Sequence, residues 1–233
     1  MTVIRAAAVV VPAHDEGASV AACVAAVHRS LALAPLPPHR CHVVVVADGC
    51  HDTTAAAARL MDAHVLDVPR VGVGTARAEG VQYAMELCTG VRPGALWLAS
   101  TDADTLVPPW WISSQLRYAE EGHDAVAGTV EVGDWSLRPE GLAAHFARRF
   151  PVTDGHAHVH GANLGVRASA YIDAGGFPGL VSGEDRALVE RLTVRGHAVR
   201  RPADLPVLTS ARRAFRAPGG FGRLLDDLEQ GSV

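Results

Sequence analysis

Three apolar runs in the first half of the chain end on acidic residues, and they constrain the fold more than any other feature. They are AAAVVVPAHDE (residues 6–16), CHVVVVADGCHD (41–52) and GALWLASTDAD (94–104). Each is short and continuously apolar, as suits a strand covered by helices on both faces. Each leads through polar residues into a helical pattern: GASVAACVAAVHRSLAL, TTAAAARLMDA and PPWWISSQLRYAEEG. Strand–helix alternation predicts an α/β fold with a parallel, doubly wound sheet. Ligands of such sheets bind beyond the carboxyl ends of the strands. The three acidic tips are therefore expected along one edge, as parts of one site.

The chain has 233 residues, 48% of them hydrophobic, which suits a single domain over 1–233. A formal charge of -4 gives no reason to expect nucleic acid or an anionic membrane as partner. All 21 basic residues are arginine, a usage that points to a GC-rich bacterial genome. Without lysine the chain has no Schiff-base chemistry and no lysine of the Walker type. Cys23, Cys41, Cys50 and Cys88 form no C-x-x-C pair, so neither a disulfide scaffold nor a zinc knuckle is expected. A reducing, cytoplasmic setting fits that usage. No apolar run approaches the roughly 18 residues of a transmembrane segment. The apolar N-terminus reads as a first strand rather than a signal peptide, since a similar strand recurs later.

In the second half, AVAGTVEVG (125–133) reads as one strand, GLAAHFARRF (141–150) as a short helix and SGEDRALVERL (182–192) as a helix. The last stretch reads as a strand at DLPVL, an arginine-rich loop and a terminal helix. VGVGTARAEG (71–80) is a glycine-rich loop opening a helix, without the spacing of a dinucleotide fingerprint and with no clear strand before its first glycine. Arg77 in that loop is placed to point at a phosphate.

Each polar cluster has a chemical and a plain structural reading. Asp102 and Asp104, one residue apart after a strand, can both reach a divalent cation such as Mn²⁺ or Mg²⁺, which prefer oxygen ligands. Alternatively Asp104 caps the helix beginning near Pro108. Asp48 can accept N–H groups of a nucleobase or simply make an Asp-Gly turn, and Asp52 can cap the next helix. Glu184 and Asp185 open a helix, where the macrodipole alone favours acids; a general base for an attacking hydroxyl is the other reading. His156, His158 and His160 would share one face of a strand and could offer a metal ligand. Arg212, Arg213 and Arg216 are either a solvated run or a loop closing over a diphosphate.

Taken together these segments resemble glycosyltransferase family 2, inverting enzymes of the GT-A fold that use nucleotide-diphosphate sugars. VVVPAHDE is similar to the family's P-A-x-N-E strand tip, with Asp15 in place of Asn. VVADGCHDTT resembles its D-x-x-S/C-x-D-x-T segment, and GTARAEG its A-R-N-x-G loop with Ala78 in place of Asn. STDADT matches the D-x-D, GANLGVRASAYIDAGGF the N-x-x-x-R…G-G-F segment, and GEDRALVERLTVRGH the E-D helix. The order is the family's order, and the resemblance runs to about Arg201.

The resemblance implies a GT-A (Rossmann-like), mixed but mainly parallel sheet flanked by helices, with a small acceptor-side subregion. Residues to about 106 would form the nucleotide-sugar half, and residues from about 107 the acceptor and catalytic half. Pro12, His14, Glu16, Asp48, Arg77, Asp102, Ala103, Asp104, Asn163 and Arg212 would contact the donor. Asp104, with Asp102 and His160, would hold Mn²⁺ or Mg²⁺; His158 and the TSARR segment are other sources of a third ligand. Asp185 would be the catalytic base and Glu184 its neighbour, orienting the acceptor. Expected partners are a UDP-, GDP- or dTDP-type sugar donor and a small-molecule or lipid hydroxyl acceptor, and a homodimer is allowed. A sugar-phosphate nucleotidyltransferase is the rival enzyme, but it normally opens on a glycine-rich loop and uses lysines. A non-catalytic nucleotide-sugar-binding relative is the rival of another class; the intact D-x-D and E-D pairs speak against it.

Overall fold

The computed structural model describes residues 2–212 and 220–231. The first strand, β1 (Ala6–Ala13), is followed by α1 (Val20–Ala32), β2 (Cys41–Asp48), α2 (Thr54–Leu60), β3 (His64–Val68) and α3 (Val73–Leu87). Next come β4 (Leu96–Ser100), α4 (Trp111–Glu120), β5 (Ala125–Ala127), β6 (Thr129–Val132) and α5 (Leu142–Arg149). The chain ends with β7 (Leu164–Arg167), α6 (Ala168–Asp173), α7 (Glu184–Val194), β8 (Val199–Arg200), β9 (Pro206–Thr209) and α8 (Phe221–Glu229).

Seven strands form the main sheet in the order β3-β2-β1-β4-β7-β5-β8, and β6 pairs with β9 beside it. Only β7 runs antiparallel to its neighbours. The sheet is thus mixed and mainly parallel, as expected. Alternation along β1 explains its unbroken apolar sequence. Val9 and Val11 pack with α1 and α4 residues such as Val24, Trp111 and Ile112 on one face. Ala8 and Val10 pack with α3, α6 and α7 residues such as Val81, Ala170 and Leu188 on the other. Both faces are dry, so neither can carry polar side chains.

The register places the strand tips together. Ala13 pairs with Ala47 and Val10 with Ser100, so β1, β2 and β4 all end at one edge. The strand order reverses between β1 and β4, and such a reversal opens a crevice. Because β7 is antiparallel, its start, preceded by His160 and Gly161, lies at that same edge.

Three expectations change. The segment after α2 contains β3, an edge strand whose residues are half exposed, so the glycine-rich turn does follow a strand. The single strand expected over 125–133 is two, split at Gly128 between the two sheets. A Cβ at Gly128 would lie 2.7 Å from the Leu205 carbonyl and collide with the Asn163 amide, so the chain crosses there as glycine. His156, His158 and His160 are not on a strand. Their rings nevertheless stand in a row, with centroids 5.4 and 6.1 Å apart. Arg213 and Arg216 lie outside the described residues. Among the described residues no helix is long and apolar enough to cross a membrane.

Candidate active site

A cleft of about 740 Å³ opens along the edge where the strands end. Pro12, His14, Glu16, Asp48, Arg77, Asp102, Ala103, Asp104, His160, Glu184, Asp185 and Arg212 all line it. Twelve residues singled out in the sequence therefore converge, from segments up to 200 positions apart.

At the tip of β2, Asp48 is almost wholly buried. Its carboxylate accepts the Val71 N–H at 2.6 Å, the Gly72 N–H at 3.1 Å and an Arg70 guanidinium N–H at 2.8 Å. Gly49 takes the positive φ of +61° that an Asp-Gly turn requires. The Asp48 carboxylate thus closes the connection between β3 and α3, 22 to 24 residues on, while lining the cleft. Asp52 accepts the Thr54 N–H at 2.9 Å and the Gly17 N–H at 2.9 Å across the loop, but it is not the cap of α2, whose N-cap is Thr53 without a side-chain cap bond.

The centre is organised by Arg77, which is buried in α3. Its Nε donates to Ser100 Oγ at 3.0 Å, one terminal nitrogen pairs with Glu184 and the other with Asp102. The guanidinium is thereby committed to three protein partners, so the structure gives Arg77 the role of holding two carboxylates rather than pointing at a phosphate. Gly161 makes room for it: a Cβ there would lie 2.6 Å from Arg77 Nη2.

Asp104 faces Glu16 and Arg212. Arg212 pairs with both oxygens of Glu16 and stands 3.3 Å from Asp104. Burial, reinforced by the nearby charge of Asp102 and opposed by Arg212, pushes the Asp104 carboxyl up to about 6. A helix cap does not explain Asp104, since α4 begins only at Trp111 and has no side-chain cap. Asp102 and Asp104 are oxygen donors of the kind that Mn²⁺ or Mg²⁺ prefer, and the Arg212 guanidinium stands beside Asp104. Neither Glu16 nor His160 joins them as a third member: no such trio brings three ligand atoms within 4.8 Å of one another.

On the opposite wall, α7 starts at Glu184, with Gly183 in left-handed backbone (φ +79°) just before it. Glu184 is buried; burial raises its pKa, and Arg77 opposes that rise. Asp185 accepts the Gly161 N–H at 2.6 Å and the Arg186 N–H at 2.7 Å, which fixes the carboxylate at the cleft wall. His160 nearby is held neutral by burial, its pKa lowered to about 4 despite Asp185. Its ring meets Phe221 edge to face at 6.0 Å.

Asn163 does not line the cleft. It is fully buried, its carbonyl accepts Trp111 Nε1–H at 2.8 Å, and its amide donates to the Thr129 and Leu205 carbonyls at 2.8 and 2.7 Å. A side chain with all its polar atoms engaged this way ties α4, β6 and the β9 approach together and has nothing left for a ligand. Sequence reading also missed Arg138. Its buried guanidinium pairs with Asp226 and Glu229 of α8 and donates to the Ala211 carbonyl at 2.8 Å and the Arg212 carbonyl at 3.2 Å. Arg138 thus sets the height of Arg212 over the cleft.

Solved structures of glycosyltransferases share this architecture. The S. aureus TarS 1-349 complex with UDP-GlcNAc superposes with a TM-score of 0.66 at 14% identity, over 93% of this chain and 61% of that one. The mannosyltransferase PcManGT from Pyrobaculum calidifontis, in complex with GDP-Man and Mn²⁺, gives 0.64 at 20% identity, over 91% of this chain and 58% of that one. The chain thus spans about three fifths of these two solved chains, and at such identities the likeness establishes the GT-A fold. No curated protein sequence matches the chain. The model of the family described as Glycosyl transferase family 2 matches residues 8–174. That match covers more than half of the chain and includes the strand tips that build the cleft, so the protein belongs to glycosyl transferase family 2.

Proposed function

We propose that the protein transfers a sugar from a nucleotide-diphosphate sugar to a hydroxyl acceptor, inverting the anomeric centre with help from a divalent metal. The observation that carries this reading is Arg77. One buried guanidinium links Asp102, beside the cation-holding Asp104, to Glu184, beside Asp185. The donor and acceptor halves of the cleft are thereby fixed relative to each other, as a displacement between two bound substrates requires.

Asp104, with Asp102, would hold Mn²⁺ or Mg²⁺, which when bound neutralises charge gathering on the departing diphosphate. Glu16 and Arg212 flank that position, and the Arg212 guanidinium matches phosphate geometry. Asp185, held by two backbone N–H groups, takes the proton of the acceptor hydroxyl. The hydroxyl oxygen bonds to the anomeric carbon as the bond to the diphosphate oxygen breaks on the opposite face. Glu184, paired with Arg77, orients the acceptor. His160, kept neutral, adds an uncharged wall beside Asp185. The UDP- and GDP-sugar complexes of the structural neighbours support a nucleotide-sugar donor.

The test is Asp185→Asn. Donor binding should persist within about twofold while transfer and donor hydrolysis fall by 10² or more, the usual scale for losing a general base. Full turnover in that variant would overturn the assignment.

A further inference from the structure

Outside the catalytic cluster, among the described residues, one further group of three metal-ligating side chains converges. His14 and Asp15, just past β1, meet Cys50, just past β2, with one ligand atom from each lying within 4.8 Å of the others. The parallel register of β1 and β2 brings these loops together across more than 30 residues of chain. Three features go beyond proximity. His14 Nδ1 lies 2.7 Å from the Asp48 carbonyl, and since a carbonyl only accepts, the proton sits on Nδ1. In the neutral ring Nε2 then carries the lone pair, and it faces Asp15 Oδ2 at 3.8 Å. An imidazole whose other nitrogen donates to a backbone carbonyl is the arrangement that orients metal-binding histidines. Asp15 is likewise steered: its Oδ1 accepts the His51 N–H at 2.8 Å, leaving Oδ2 on the histidine side. Asp15 also sits in left-handed backbone (φ +51°), a conformation that persists in a non-glycine residue only where its surroundings hold it. The third side chain, Cys50, rests its thiol 3.3 Å from the Ala13 carbonyl.

We infer that His14, Asp15 and Cys50 form a binding site for a thiophilic divalent cation of the Zn²⁺ type, distinct from the Asp104 site. Nitrogen, carboxylate and sulfur donors together select Zn²⁺ over Mg²⁺ and Mn²⁺, which favour oxygen alone. Three protein ligands leave a fourth, tetrahedral position for water. On binding, the Cys50 thiol proton passes to solvent and the thiolate coordinates. Asp15 stands where the family resemblance has Asn, and so supplies the charge that this ligand set needs. A cation here ties the β1–α1 loop to the β2–α2 loop and pins His14, which lines the nucleotide side of the cleft.

The site is tested with Co²⁺ alone on the whole protein, independently of transferase activity. Co²⁺ should produce a thiolate-to-cobalt charge-transfer absorption, and Zn²⁺ should displace it. The band should vanish in Cys50→Ser and His14→Ala, and Co²⁺ affinity should fall at least about tenfold in the isosteric Asp15→Asn. That third variant keeps the test decisive if Cys50→Ser folds poorly. The band should survive Asp104→Ala and Cys41→Ser. Absence of a thiolate band, its survival in Cys50→Ser, or its loss in Asp104→Ala would each overturn the site.

Discussion

Arg77→Met probes the link on which the cleft depends. The Arg77 and Glu184 side chains are each only 4% exposed, whereas Asp102 is 39% exposed. Removing the guanidinium leaves Asp102 to water but strands Glu184. One uncompensated buried charge, with its partner deleted, costs about 3–5 kcal/mol. Methionine fills much of the stem volume, so little cavity cost is added. At about 2–4 °C per kcal/mol for a chain of this size, the melting temperature should fall by about 6–20 °C. Glu184→Gln leaves Arg77 paired with Asp102 and should cost only about 1.5–3 kcal/mol, the worth of a hydrogen bond to a charged group. The double variant removes the stranded charge, so it should be more stable than Arg77→Met alone. Urea unfolding of the four proteins, followed by circular dichroism, completes the cycle. An Arg77→Met loss under about 1 kcal/mol, far below the range for a broken buried pair, would refute the reasoning. So would a double variant no more stable than the single.

Other outcomes follow from the same geometry. Asn163→Ala leaves Trp111 Nε1–H without its partner and takes one hydrogen bond from each of the Thr129 and Leu205 carbonyls. It should cost about 3 kcal/mol or more in urea unfolding, and in the protein that remains folded nucleotide affinity should be unchanged. Gly161→Ala would push Arg77 aside, so calorimetry and turnover should show a larger loss of transfer than of donor binding. His197 links Asp124 and Asp173 at 3.1 Å each, and although burial pulls its pKa down these carboxylates outweigh it and leave it raised. Its contribution is therefore fully present below the unfolded value of about 6.5 and lost as pH rises through the higher folded value. The stability gap between wild type and His197→Gln should accordingly be widest at acid pH and close on the alkaline side.

Local chemistry was legible in the sequence where the pattern was local. The apolar runs of β1, β2 and β4 announce a sheet covered on both faces, and their acidic endings announce one edge. The short edge strand β3 was not legible, because HVLDV is half exposed and lacks an unbroken apolar run. The break at Gly128 depends on the Asn163 side chain and the Leu205 carbonyl, neither of which is near it in sequence. Arg77 lines the cleft, but its partner Glu184 lies 107 residues away in sequence. Asn163 carries the family's pattern at its position, yet its three hydrogen bonds are long-range and saturate it. In each case the residue type was visible and the partner was not.

Just past β4, Asp102 and Asp104 are paired to hold a cation against a nucleotide diphosphate under the proposed function. Calorimetric titration with UDP, GDP, dTDP and CDP, each with and without Mn²⁺ or Mg²⁺, tests this in wild type and Asp104→Ala. One nucleotide should bind, the metal should strengthen binding at least about tenfold, about 1.4 kcal/mol, and Asp104→Ala should abolish the metal effect. A nucleotide bound equally well without metal, or equally well by Asp104→Ala, would contradict it.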